Sequence, residues 1–340
     1  MYAVVIADQQ ETRMAGMSSA PQLDMFEAAN EVSLKVNRAA RGRHERAGSL
    51  SEDEMVRHLE KTGQFRILRK LVPRTVAPVR RPEFPRVGVI VDTETTGLNH
   101  RQDQVIEIGA VSFTYDDAGQ IGDVIGLYGG LQQPDGSIPP EITRLTGITD
   151  SMVEGQAIDL DLLDQLIAPA DLVIAHNARF DRPFCEALSP VFKDKPWACS
   201  VSEIDWGARS FEGTKLGYLI GQAGYFHDGH RAVDDCFALL AVLDTRDGEE
   251  ELPFAELYQT SQRSRARVFA EHSPFEMKDN LKARGYRWSD GSDGRPKSWW
   301  IEVDEENLAD ELDYLRSEIY RWREADPPVK RLTAFDRFRA

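Results

Sequence analysis

Periodic apolar positions in this chain gather mainly after residue 50. Residues 1–50 are polar, with Gln-, Ala- and Arg-rich stretches and little periodicity, which predicts a flexible, mostly disordered N-terminal arm. At Ser51 the pattern changes. Ser51 and Glu54 match a capping box, Met55, Val56 and Leu59 share a face of the helix that follows, and Gly63 ends it. Phe65, Ile67, Leu68 and Leu71 suggest a strand, and Pro73, Pro78, Pro82 and Pro85 an extended linker. Residues 51–85 are therefore expected to be a small basic helix–strand segment with a Pro-rich linker.

From Val87 to Leu243 the pattern alternates between strand and helix periods. Val87–Val91 is an apolar run typical of a strand buried on both faces. Val105–Thr114 predicts a second strand, Val124–Leu131 a third and Leu172–Ala175 a short fourth. Helices are expected at Asp159–Ile167, Arg179–Leu188, Thr214–Ala223 and Arg231–Asp244. This succession predicts an α/β domain over residues 86–246, a sheet covered by helices. The charged run Asp247–Glu251 marks its exit. Residues 247–340 then read as a small α-β-β-α module, with helices at Phe275–Arg284 and Glu305–Trp322 around two aromatic-rich segments.

Composition narrows the class. No apolar run approaches the length that spans a bilayer, so a membrane role is excluded. The first sixteen residues carry Asp8, Glu11 and Arg13, which does not suit a secretory leader. Cys185, Cys199 and Cys236 lack metal-ligand spacing and read as small buried thiols of a cytoplasmic protein. The net charge of −16 is uneven. Residues 86–246 hold 25 Asp and Glu against 11 Lys and Arg, while residues 35–81 hold 13 basic against 5 acidic side chains. A domain so acidic repels phosphate unless divalent cations invert the local field.

The acidic positions in the expected structure point the same way. Asp92 and Glu94 end the buried strand, and residues two apart in a strand project to one side. Two carboxylates held that close favour a shared cation. Asp181 follows the short strand Leu172–Ala175 near a helix start, where it could equally complement the helix dipole. Of the adjacent Asp234 and Asp235, Asp235 shares a helical row with Ala232, Leu239 and Val242 and borders the buried face, whereas Asp234 should lean toward solvent. His227 and His230 both stand near enough to serve as a base, and periodicity does not separate them.

Together, Asp92-Thr93-Glu94, His176–Asp181 and His230–Asp235 resemble the three motifs of the DEDDh 3′–5′ exonucleases. Pro140-Glu141-Ile142 and Gly147-Ile148-Thr149-Asp150 further resemble the proofreading epsilon-subunit branch of that family. The resemblance covers about residues 86–246 and implies a ribonuclease-H-like mixed sheet flanked by helices. It implies that Asp92, Glu94, Asp181 and Asp235 are metal ligands and that His230, not His227, is the general base. It places substrate contacts at Thr95, Thr96, Gly97, His176 and Asn177, although Gly97 could instead serve only the turn. Four carboxylates suit two Mg²⁺ or Mn²⁺ ions. The expected activity is release of nucleoside 5′-monophosphates from a free 3′ end, with DNA favoured, in proofreading or repair. An RNA-trimming enzyme of the same family and a non-catalytic clamp- or DNA-binding adaptor are the alternatives.

Three features lie outside this domain. Gln22-Leu23-Asp24-Met25-Phe26 resembles the short peptide with which bacterial replication proteins bind the β sliding clamp. The basic stretch Lys35–Arg81 is either a solvated linker or a non-specific phosphate contact. Tyr286, Trp288, Trp299 and Trp300 stand among Lys282, Arg284, Arg287, Arg295 and Lys297, and the sequence favours packing over base stacking for them.

Overall fold

The computed structural model describes residues 2–5, 50–246, 251–292 and 294–339. The chain divides into two units, one of residues 7–68 and one of residues 1–6 and 69–340. In the smaller unit the described element is α1 (Glu52–Lys61), which opens on the expected capping box: Ser51 Oγ accepts from Glu54 N, and Glu54 accepts from Ser51 N at 2.7 Å. Gln22–Phe26 and the rest of residues 6–49 lie outside the described residues.

The larger unit starts with β1 (Tyr2–Val5), a strand inside the stretch expected to be a disordered arm. It continues with β2 (Arg69–Lys70), β3 (Arg86–Thr95), β4 (Val105–Tyr115) and β5 (Ile121–Leu131). It then adds α2 (Pro140–Thr146), α3 (Asp150–Val153), α4 (Leu160–Ile167), β6 (Leu172–Ala175), α5 (Ala178–Leu188) and β7 (Trp197–Cys199). After these come α6 (Leu216–Gln222), β8 (Tyr225–Phe226), α7 (Ala232–Leu243) and α8 (Pro253–Gln262). The C-terminal elements are β9 (Arg265–Ala270), α9 (Lys278–Ala283), β10 (Arg287–Trp288), β11 (Trp299–Asp304), α10 (Leu308–Tyr314) and β12 (Val329–Leu332).

Six strands form the main sheet in the order β1-β5-β4-β3-β6-β7. The β3–β4–β5 meander is antiparallel, and β6 and β7 run parallel to β3 through helical crossovers. Strand alternation sends Val87, Val89 and Val91 toward α4 and α5, where they pack with Leu163, Leu166 and Phe184. Ile90 points to the opposite face, against Cys236, Leu239 and Leu240 of α7. Each of these apolar side chains contributes about 1.5–3 kcal/mol of burial. Helix α7 lies close against the sheet because β4 offers Gly109, where a Cβ would come within 2.3 Å of the Ala232 backbone.

The core runs past residue 246, since Phe254 and Leu257 of α8 pack into the same apolar layer as α7. The C-terminal segment forms its own four-stranded sheet, β10-β11-β9-β12, with two strands beyond the expected α-β-β-α pattern. Both β9 and β12 pair with distant partners, so local periodicity alone is a weak guide to them. The chain end returns to the core. Arg182 of α5 donates to the carbonyl oxygens of Ala334, Phe335 and Arg337, and Arg337 forms a fully buried ion pair with Glu203. The strand expected around residues 65–71 shrinks to β2, a two-residue parallel pairing with β8. No helix among the described residues is long and apolar enough to cross a membrane.

Candidate active site

Strand β3 carries its acidic pair out of the core at its C-terminal end. Alternation puts Asp92 and Glu94 on the side of Ile90, facing α7, and Thr93 on the side of Val91, facing α5. The first turn of α7 supplies Asp235. One carboxylate oxygen from each of Asp92, Glu94 and Asp235 lies within 4.8 Å of the other two.

Asp181 enters from the other side. It is buried in the first turn of α5, and its Oδ1 accepts from Thr93 N at 3.1 Å and Thr93 Oγ1 at 2.8 Å. It stands outside the close set of three but within reach of their field. Burial raises the pKa of Asp92 well above the carboxylate range, and the charges of Asp181, Asp235, Glu94 and Glu107 raise it further. Glu94 is pushed up to about 8, first by burial and then by Asp235, Glu107 and Asp181. Burial also raises Asp181, while the two Thr93 bonds pull it back. These carboxyls resist ionising together, the electrostatic condition that a divalent cation with hard oxygen ligands relieves.

The two histidines have different surroundings. His227 Nε2 stands 2.8 Å from Asp235 Oδ1, and its side chain is mostly buried. His230 is exposed and holds φ +65°, a left-handed conformation uncommon outside glycine. Asp235 Oδ2 also accepts from Arg231 N at 3.0 Å, so Asp235 is oriented from both sides. Asp234 is half-buried, stands outside the close set of three, and lines a cleft with Glu107, Arg231 and Val233.

The expected substrate contacts vary in their engagement. His176 uses both ring nitrogens, with Nδ1 2.8 Å from Ser200 Oγ and Nε2 2.7 Å from the carbonyl oxygen of Thr214. The carbonyl can only accept, so Nε2 carries the proton and Nδ1 accepts from the hydroxyl. Burial lowers the pKa of His176 and favours that neutral ring. Asn177 is exposed at the entry to α5. Thr95 Oγ1 donates to the Gly97 carbonyl at 2.6 Å, and Thr96 Oγ1 accepts from Gln104 N at 2.9 Å. A Cβ at Gly97 would meet the Asp103 carboxylate at 2.5 Å, so glycine here lets the loop close on Asp103. Beside this loop a polar cleft of about 480 Å³ is lined by Thr96, His100, Arg101, Gln104 and Asp135 among others. The Pro140–Asp150 segment braces the region from behind: Ile148 packs with Ile106 and Ile138, and Asp150 Oδ1 accepts from Ile138 N at 2.8 Å.

Two positioning groups escape motif reading. Thr93 holds Asp181, and Glu107 holds the start of α7. Glu107, buried on β4, accepts from Arg231 Nη2 at 2.8 Å and from Ala232 N at 3.1 Å. A carboxylate inside the apolar run Val105–Val111 was the available signal for Glu107. For Thr93 it was the central place between two carboxylates.

Residues 89–243 match the RNase_T exonuclease family model. The DNA polymerase III subunit epsilon of Treponema pallidum is 32% identical over 163 residues, covering 45% of this chain and 73% of the relative. The PolC-type DNA polymerase III of Clostridium perfringens is 30% identical over 162 residues, covering 46% of this chain but 11% of that protein. Among solved structures, exonuclease X in complex with 5′-overhanging duplex DNA is 23% identical with a TM-score of 0.35, covering 49% of this chain and 99% of that one.

Proposed function

Because this chain belongs to the DEDD-type 3′–5′ exonuclease family, we propose that it hydrolyses DNA from the 3′ end to nucleoside 5′-monophosphates, in proofreading or repair. The observation that carries the reading is the convergence of Asp92, Glu94 and Asp235 at the end of β3. Their oxygens suit Mg²⁺ or Mn²⁺, with Asp181 as the fourth carboxylate of the set. Bound divalent cations supply positive charge for the phosphate and lower the pKa of bound water.

The remaining work falls to this chain's own groups. His230 is the proposed base that takes a proton from the attacking water, because its five-residue spacing from Asp235 resembles that of the family. A rival reading gives that role to His227, favoured by its 2.8 Å approach to Asp235. Thr95, Thr96 and Gly97, with Asn177, form the proposed rim against the terminal nucleotide. His176 contributes by holding the Ser200 and Thr214 segments together. The preference for DNA follows the names of the relatives, one a DNA polymerase III subunit and one a DNA polymerase III. Gln22–Phe26 is the proposed tether to a sliding clamp.

Matched 3′-labelled DNA and RNA oligonucleotides, single- and double-stranded, test the reading with Mg²⁺, Mn²⁺ or EDTA. Metal-dependent release of mononucleotides from the 3′ end, faster on DNA, is the expected result. Equal or faster trimming of RNA would move the enzyme to the ribonuclease alternative, and inactivity on all substrates would leave the adaptor.

A further inference from the structure

The buried indole of Trp300 on β11 gathers four guanidinium groups that the nuclease chemistry does not use. Arg267, Arg295, Arg287 and Arg179 lie 4.9, 5.1, 5.7 and 5.9 Å from its ring centroid. They come from different parts of the chain. Arg267 stands on β9, Arg287 is the cross-strand partner of Trp300 on β10, and Arg295 lies in the β10–β11 connection. Arg179 belongs to the first turn of α5, two residues before Asp181.

Glu302 pairs with Arg267 at the inner end of this cluster. Arg179 and Arg287 are exposed, and Arg295 is half-buried. The crowding has an electrostatic cost. Arg287, Arg267 and Arg295 surround the Arg179 guanidinium with like charge, which Glu302 partly offsets. Guanidinium forks held together by an aromatic ring suit phosphate oxygens, which they bind bidentately.

Two neighbours favour a nucleic-acid strand over a small ion as the source of such phosphate oxygens. On the opposite face of the same edge strand, Trp288 pairs with Trp299, is 51% exposed and meets it edge-on at 5.6 Å, which leaves an indole face for a base at the β10 edge. The β10–β11 connection also abuts the loop that follows Thr96 and Gly97, where Arg101 Nη1 reaches the carbonyl oxygen of Ser292 at 3.4 Å. The cluster thus borders both the helix that carries Asp181 and the rim of the candidate active site.

We propose that the β10 edge of this sheet, with Arg179, Arg287 and Arg295 on one face and Trp288 as a stacking platform on the other, forms a single-stranded nucleic-acid binding surface that holds the substrate strand beyond its reacting end. This rests on the exonuclease reading for the identity of the strand. The exposed edge strand β10 then has a role besides closing the sheet. It supplies the positive surface that an acidic catalytic domain lacks.

The test uses the full chain and a fluorescein-labelled oligothymidylate in EDTA, so that binding is read without cleavage. Fluorescence anisotropy is followed across a salt series for the parent, Trp288→Ala and the double variant Arg287→Gln/Arg295→Gln. Trp288→Ala should weaken binding about 5- to 100-fold. The double variant should weaken it and lower the slope of log affinity against log salt by about 1.4, two phosphate contacts at roughly 0.7 each. Hydrolysis of the small ester thymidine 5′-(4-nitrophenyl phosphate) with Mn²⁺ should be unchanged in both, because that ester does not extend beyond the reacting end. Unchanged oligonucleotide affinity in Trp288→Ala and an unchanged salt slope in the double variant would overturn the proposal. So would a polyglutamate peptide that competes as well as the oligonucleotide, which would mark an acidic-protein dock. If the double variant does not fold, Trp288→Ala alone decides the matter. A parent chain that hydrolyses no substrate, with binding still lost in the variants, would reject the exonuclease reading and keep the binding surface.

Discussion

Thr93 donates both its backbone N–H and its hydroxyl to one oxygen of Asp181, at 3.1 and 2.8 Å. This single contact joins the strand that carries Asp92 and Glu94 to the helix that carries Asp181. The strand end thus uses both faces, with carboxylates toward α7 and a threonine toward α5.

Thr93→Val keeps the shape and the backbone bond but deletes the hydroxyl. Removing one buried hydrogen bond should cost about 1 kcal/mol of stability. The larger effect falls on activity, because Asp181 loses half of its orientation. A drop in kcat on the order of 10- to 100-fold is expected, with Thr93→Ser restoring most of it. Steady-state kinetics and thermal melting of the two variants give the comparison, and equal activity in Thr93→Val would show that the hydroxyl does not position Asp181.

Stability without metal should fall as pH rises. Asp92, Glu94 and Asp181 all have raised pKa values, and Glu94 moves from 4.5 to about 8. A carboxyl raised in the folded state holds its proton more tightly there than in the unfolded chain. Its contribution is complete below the unfolded value and is lost as pH climbs through the folded one. In EDTA the Tm should therefore decline between about pH 5 and 8, and Mg²⁺ should raise the Tm more at pH 8 than at pH 5.5. Scanning calorimetry at both pH values measures this, and a Tm in EDTA that is flat across the range would contradict it.

The two histidines are separable by substitution. With His230 as the base, His230→Ala should lose activity on the order of 10²–10⁴-fold while still binding metal and DNA. His227→Ala should lose little by comparison, since its role is limited to orienting Asp235. Single-turnover cleavage alongside DNA binding in Ca²⁺ distinguishes the two, and the reverse ranking would make His227 the base.

The tether is tested on the isolated peptide. A segment spanning Ala20–Ala28 should bind the cognate sliding clamp saturably, and replacing Leu23 and Phe26 with Ala should abolish binding. The same double substitution in the full chain should leave hydrolysis of free oligonucleotides unchanged. Calorimetry showing no saturable binding at high micromolar peptide would reduce the pentapeptide to a chance sequence.

The sequence by itself determined what depends on near neighbours. The apolar run Val87–Val91 made a strand buried on both faces, and its period of two put Asp92 and Glu94 on one side. The 3.6-residue period of α7 set Asp235 at the edge of its buried face, and Ser51 with Glu54 capped α1. Only the tertiary structure decided contacts between distant segments, because no local period encodes which faces meet. Thr93 and Asp181 are 88 positions apart, and Glu107 and Arg231 are 124 apart. Chain folding likewise brought His227 to Asp235, left His230 outside that contact, and set Arg179 of the core over Trp300 of the C-terminal sheet. Each of these depends on how a helix packs on a sheet, and that follows from the fit of whole apolar faces rather than from any one residue's neighbours.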